Sequence, residues 1–196
     1  MAGHTVFLGK RNRGLEDPRW PPLVVGTVLI ACLALPAAAE ARDAFVCAEL
    51  KAAVADAGRG FAVHKGALNP QAKPLPAGGK TYLAKKILTG ATSCSVVDVG
   101  MDEPTMRLRQ TAYSCQFPGV SRLGKDLRTG LTRCVAGEVD DPSDPHDFTL
   151  WVDRVSSGEG YRGVEVNAQA NTVTGLTLQV RQSVCTNKGE GMACEE

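Results

Sequence analysis

The sequence is poor in the features by which most enzymes and nucleic-acid binders declare themselves. It has three histidines, of which only His64 and His146 lie beyond the first forty residues, and no G-x-S-x-G or H-E-x-x-H run. No two of its cysteines are closer than nine positions. Zinc sites need closely spaced Cys or His pairs, and nucleophilic catalysis needs a positioned base, so neither zinc nor any other cofactor is expected. A base working near neutral pH would have to be His64 or His146. Excess charge of one sign is missing too. Four of the 22 basic and three of the 21 acidic side chains fall in the first 41 residues, leaving 18 of each beyond them. A neutral domain without a basic stripe is not expected to bind nucleic acid or to be held on anionic lipid by charge. Aromatics make up only 5% of the chain, so its core has to be built from Val, Leu, Ala and Ile. Gly79-Lys80-Thr81 ends like a phosphate-binding loop, but Pro74 stands where the leading glycine belongs and supplies no amide hydrogen.

What is present begins at the N-terminus. Lys10, Arg11, Arg13 and Arg19 precede an apolar run from Leu23 to Leu35, and the small residues Ala37, Ala38, Ala39 and Ala41 follow. Basic, apolar, then small is the order of a bacterial-type secretory signal, with cleavage expected after Ala39 or Ala41. The run of about 13 residues is too short for a membrane-spanning helix, which needs roughly 20. Leu29-Ile30-Ala31-Cys32 resembles the lipobox of a lipoprotein, but the apolar residues that follow do not form the usual polar tether, so lipidation at Cys32 is the minor alternative. The expected organisation is a signal peptide over residues 1–41 and one exported domain over 42–196, placed in the periplasm or outside the cell.

Removing the signal takes Cys32 and leaves Cys47, Cys94, Cys115, Cys134, Cys185 and Cys194. Six thiols in a small domain in an oxidising compartment imply three disulfides. Strand patterns at 93–99 and 106–117 flank Asp102-Glu103-Pro104, a turn composition, and a hairpin symmetric about Pro104 and Thr105 sets Cys94 opposite Cys115. Cys47 and Cys134 both fall near the apolar faces of expected helices, at 43–57 and 120–135, and could pair with each other or with the C-terminal cysteines. A bridge from Cys185 to Cys194 would close a small loop.

Extended segments are further expected at 61–63, 81–88, 148–155, 161–168 and 172–184, with an irregular connection over 66–79. The result is an α+β domain with a largely antiparallel sheet, two helices packed on one face, and an order suggesting an αβββ unit used twice.

Two loops carry the candidate binding residues. Asp140, Asp141, Asp144 and Asp147, with Ser143 and His146, gather oxygen ligands of the kind a hard cation takes. They lack the spacing of an EF-hand, and Asp beside Pro is ordinary turn chemistry. Tyr113-Ser114-Cys115 and Ser157-Gly158-Glu159-Gly160-Tyr161 resemble, over about ten residues, the Y-x-C and S-G-x-x-Y elements of periplasmic inhibitors of c-type lysozyme. That resemblance implies a compact β-barrel in which Ser157 and Tyr161 reach the target enzyme; read without it, the second stretch is a glycine-rich hairpin turn. The leading functional expectation is a non-enzymatic binding or accessory protein with an envelope partner. An inhibitor or immunity factor against an envelope-attacking enzyme is the first alternative. A small envelope hydrolase using carboxylates such as Asp140, Asp144 or Glu165 is the second.

Overall fold

The computed structural model describes residues 45–140, 144–189 and Cys194. The expected signal segment, Cys32, both cleavage positions, Asp141 and Ser143 lie outside the described residues. Among the described residues, two α-helices, α1 (Cys47–Ala57) and α2 (Lys125–Cys134), accompany one eight-stranded sheet. Its strands are β1 (Lys65–Leu68), β2 (Lys80–Ala84), β3 (Ser93–Asp102), β4 (Met106–Phe117), β5 (Glu138–Asp140), β6 (Asp147–Ser157), β7 (Gly160–Asn171) and β8 (Gly175–Asn187). Their order across the sheet is β1-β2-β3-β4-β8-β7-β6-β5, and every neighbouring pair is antiparallel. Among the described residues, no helix is long and apolar enough to cross a membrane.

Alternation along the strands decides which residues form the core. Val96, Tyr113, Val180, Val166 and Leu150 occupy facing register positions on five successive strands, and Cys94, Cys115, Leu178, Ala168 and Phe148 form the next row. Because side chains alternate between faces with period two, these rows share one face. The same hydrophobic cluster contains Leu50, Ala53 and Ala57 of α1, Leu127 and Leu131 of α2, and Phe61. In α1 the buried positions recur at helical spacing, and Glu49 in the first turn suits the positive end of the helix dipole. In α2, Asp126 opens the helix and Arg133 closes it, each matched to the dipole at its end.

The opposite face is polar. Asp147, Gln169, Thr177 and Gln116 form one row across four strands, and Thr149, Asn167, Gln179 and Ser114 form another. Side chains bond along and between these rows: the Asn167 amide donates to Asp147 at 2.7 Å and to Thr149 at 2.9 Å, and the Gln116 amide donates to Thr177 at 2.9 Å.

All three disulfides join pairs considered from the sequence: Cys47–Cys134, Cys94–Cys115 and Cys185–Cys194. Cys94 and Cys115 face each other in the register that symmetry about Pro104 and Thr105 requires. Three oxidised pairs are compatible with an oxidising, exported setting.

Several local expectations are overturned. Residues 61–63 are a turn, and the strand begins at Lys65. Val173, taken as part of the last strand, is 90% exposed in the turn before β8. Val46, placed on the apolar face of α1, is 42% exposed. β1 runs into the connection expected to be irregular over 66–79, and the short β5 lies in a stretch read as loop, so four strands, not three, follow each helix.

The disulfides close loops of very different length, with sequence separations of 87 for Cys47–Cys134 and 9 for Cys185–Cys194. On chain-entropy grounds, replacing Cys47 and Cys134 together by Ser is expected to cost about 4.5 kcal/mol, and replacing Cys185 and Cys194 about 2.7 kcal/mol. Guanidinium unfolding of the two double variants checks the order; equal losses would show that the long loop is already constrained in the unfolded chain.

Candidate functional site

The apolar stripe of α1 contains one charged residue, Asp56, whose exposure is only 1%. A carboxylate placed there needs donors close by. They come from the loop after the helix. Oδ2 accepts hydrogen bonds from the amides of Val63 at 2.8 Å and His64 at 3.1 Å, and the same oxygen lies 2.8 Å from His64 Nδ1. The Arg59 guanidinium is 3.1 Å from Oδ1. To bring these donors round, Gly60 and Phe61 adopt φ of 62° and 59°. Gly60 does so freely; for Phe61 this left-handed region is costly, and its complete burial beside Tyr113, with ring centroids 6.0 Å apart, offsets the cost.

Burial pushes the Asp56 carboxyl up. The hydrogen bonds from the His64 ring and from the Val63 and His64 amides, with electrostatic attraction to the imidazole, outweigh that and hold it below the usual carboxylate range. An ionised carboxylate only accepts, so Nδ1 of His64 carries the proton that Asp56 receives. The imidazole is packed against Tyr113 with ring centroids 4.9 Å apart. Burial raises the Tyr113 phenol to about 12, so it stays protonated and donates to the Lys86 carbonyl at 2.8 Å.

His64 and Tyr113 line a cleft of about 400 Å³ whose remaining walls are Ala48, Glu49 and Ala52 of α1 and Lys86, Ile87 and Leu88 of the β2–β3 connection. Glu49 is held by the amide of Thr89 at 2.7 Å and its hydroxyl at 2.9 Å, which ties the start of α1 to that connection. The His64 side chain is 4% exposed; its Nε2 has no hydrogen-bond partner among the described residues and is not one of the buried atoms left without one, so solvent in the cleft reaches it. Among the described residues, no serine, threonine or cysteine lines the cleft.

The residues singled out from sequence lie elsewhere. Asp140, Asp144, Asp147 and Thr149 do come together, around a shallow pocket of about 210 Å³. Asp144 is engaged as a turn residue, accepting the amide of His146 at 2.7 Å and that of Asp147 at 3.3 Å. Exposed His146 turns its Nδ1 to the Ala170 carbonyl at 3.2 Å. Among the described residues no group of three or more His, Cys, Asp or Glu is arranged to hold a metal ion.

Ser157 and Tyr161 flank the tight β6–β7 turn. The Ser157 hydroxyl accepts from the Glu159 amide at 3.3 Å, and Asn187 bonds the tip at Gly158 and Glu159. The turn is therefore fastened to the end of β8, and Tyr161 is half-buried. Gly160, at φ 130°, sits against the Cys185 carbonyl where a Cβ would collide. Glu165 is 2% exposed on the polar face and is ion-paired with Arg181. Burial raises its carboxyl; Arg181 opposes that shift, and Asp147 and Asp140 add to it.

Sequence reasoning named His64 only as one of two available bases. The stronger signal was Asp56 itself, a charge on an apolar helical stripe followed by Gly58 and Gly60, which demands a partner from the loop. No family model, curated protein or solved structure matches this chain.

The folded Asp56 titrates below its unfolded value near 3.8, so its stabilisation is present above that pH and is lost as pH falls through the folded value. Asp56→Asn is expected to cost about 3 kcal/mol at about pH 7, with the gap to wild type narrowing at about pH 3. Denaturant unfolding at both pH values tests this, and a constant gap would contradict it. Glu165 has the opposite sign. Its folded value is raised, so stability declines as pH rises from about 4.5 toward neutrality, and Glu165→Gln is expected to flatten that decline in the same measurement.

Proposed function

We propose that this chain is an exported, non-enzymatic binding or accessory protein whose ligand site is the His64 cleft. In this reading the two stretches of one helix and four strands are copies of one unit, and both helices cover the apolar face of the sheet.

One observation carries the reading: a nearly buried imidazole, locked on one side by Asp56, lines a largely apolar cleft, and its other nitrogen has no partner within the fold. Solvent reaches that nitrogen in the empty cleft, and an occupant that displaces the solvent has to supply the hydrogen bond in its place. The cleft volume falls within the range of small-molecule sites. Binding is favoured over covalent catalysis because, among the described residues, the hydroxyl on the cleft wall is that of Tyr113, which stays protonated and bonded to the Lys86 carbonyl. The inhibitor reading has less support, since Ser157 and the hairpin tip are engaged within the fold. The carboxylate-hydrolase reading keeps Asp140, Asp144 and Asp147 around one pocket, but Glu165 is taken up by Arg181.

Titration of the oxidised protein with a small-molecule fragment set, followed by amide NMR shifts, is expected to give saturable changes at Ala48, Ala52 and Leu88. Saturable changes confined to the Asp140–Thr149 pocket or to the Ser157–Tyr161 hairpin would displace this reading. Export is checked separately: N-terminal sequencing of the protein from the envelope fraction is expected to start at Glu40 or Arg42, and an intact Met1 would refute it.

A further inference from the structure

Few polar groups on the cleft walls are left to choose a ligand. Each of the other polar groups on its walls whose bonding is described is committed: Glu49 to Thr89, the Lys86 carbonyl to Tyr113, and His64 Nδ1 to Asp56. That leaves the Lys86 ammonium, on a flexible exposed stem, and Nε2 of His64, which alone is held in one place. Asp56 Oδ2 already receives two backbone amides, and an ionised carboxylate offers no proton, so Nδ1 must donate to it. Whenever His64 is neutral, the lone pair then sits on Nε2, and in that form the atom is an acceptor. Asp56 cannot swing away to allow the other tautomer, because the backbone of residues 63 and 64 is built around the same oxygen.

An acceptor in that position selects for an occupant with a donor. The rest of the cleft selects for its body. Ala48, Ala52, Ile87, Leu88 and the Tyr113 ring are apolar, and the two alanines leave room that larger residues on the same helix face would fill. At the rim, Glu49 and Lys86 carry opposite charges, which favours neither an anion nor a cation.

Resting on the reading of the cleft as a ligand site, we infer that it takes a small neutral amphiphile, an apolar body bearing one hydroxyl that donates to His64 Nε2, with phenols as the best-fitting class. The hydroxyl takes over the hydrogen bond that solvent in the empty cleft offers Nε2, and the ring lies against Tyr113 and the alanines. A ligand of the same shape without the donor leaves the acceptor buried and unpaired, which is the costly arrangement.

The test compares 4-ethylphenol with its methyl ether, 4-ethylanisole, on the intact oxidised protein, by calorimetry and by the 15N resonances of the His64 ring. The phenol is expected to bind at least about tenfold more tightly, the factor expected for about 1.4 kcal/mol, and to shift Nε2 while leaving Nδ1 nearly unmoved. Ala52→Leu, on the exposed side of α1, is expected to abolish binding of both compounds without unfolding the protein. His64→Phe, if it folds, should lose the preference for the phenol. Equal affinity of the two compounds, both lost in Ala52→Leu, would overturn the hydroxyl assignment and leave the cleft as a ligand site. Binding of either compound that Ala52→Leu does not weaken, or no binding by either together with no cleft response to the wider fragment set, would remove both.

Discussion

The pairing of β4 with β8 is the constraint on which the rest of the molecule depends. It runs from Met106 opposite Asn187 to Phe117 opposite Leu176 and joins two otherwise separate four-stranded meanders into one sheet. Because side chains alternate with period two, that register alone decides that Tyr113, Cys115 and Phe117 share a face with Leu176, Leu178 and Val180. A slip by one residue would turn Tyr113 to the polar face, remove the surface on which His64 packs, and set Arg181 into the core. The Cys94–Cys115 disulfide holds β4 to β3 on one side of this pair, and the β7–β8 hairpin holds the other. The central register is thus braced from both halves.

Much of this was legible because it is local. The hairpin about Pro104 and Thr105 follows from turn chemistry and alternation, and it fixes a disulfide directly. The spacing of Leu123, Leu127 and Leu131 marks the buried face of α2, and Cys134 at the end of that line points toward its partner on the other helix. What failed was what only tertiary structure decides. β5 is three residues long in an acidic stretch, and it pairs because β6 offers an open edge, not because its sequence alternates. Val173 belongs by propensity to a strand, but Gly175, at φ 80°, begins the next strand, and Asn171 caps the preceding turn by accepting the amides of Val173 and Thr174. Phe61 and Val63 look extended; Asp56 pulls them into a turn across seven or more residues, and no periodicity encodes that.

The two faces of the sheet divide the work. One is dry and carries the core. The other carries rows of amides, hydroxyls and carboxylates that bond one another, with Leu83 and Met101 exposed among them toward the β2–β3 side. At one end of the sheet, Asn187 and Lys188 gather three turns: Asn187 bonds Gly158, Glu159 and Cys194, and Lys188 bonds Thr105, Glu103 and Asp102. The hairpin first considered as a contact loop is therefore part of a fastening. The cleft beside α1 lies outside that network, bounded by a helix and a connection that are held together by Glu49 and Thr89.

Asp56 and Glu165 show why burial alone does not mark a functional carboxylate. Both are almost completely withdrawn from solvent, yet their acidities move in opposite directions. Desolvation acts the same way on each; the difference is in what surrounds them. Asp56 is met by two amides whose positions are fixed by the backbone and by an imidazole, donors that cannot leave without undoing the loop. Glu165 is met by Arg181, whose side chain remains 36% exposed, and it feels the carboxylates of Asp147 and Asp140 nearby. A pinned set of donors holds the Asp56 carboxyl below its usual range, and the ionised Asp56 is what fixes the tautomer of His64. The left-handed turn at Phe61 is what brings the Val63 and His64 amides round to that carboxylate. Conformation, charge state and the acceptor presented to the cleft are therefore one coupled property of the segment from Asp56 to His64, and a change to any of the three must alter the other two.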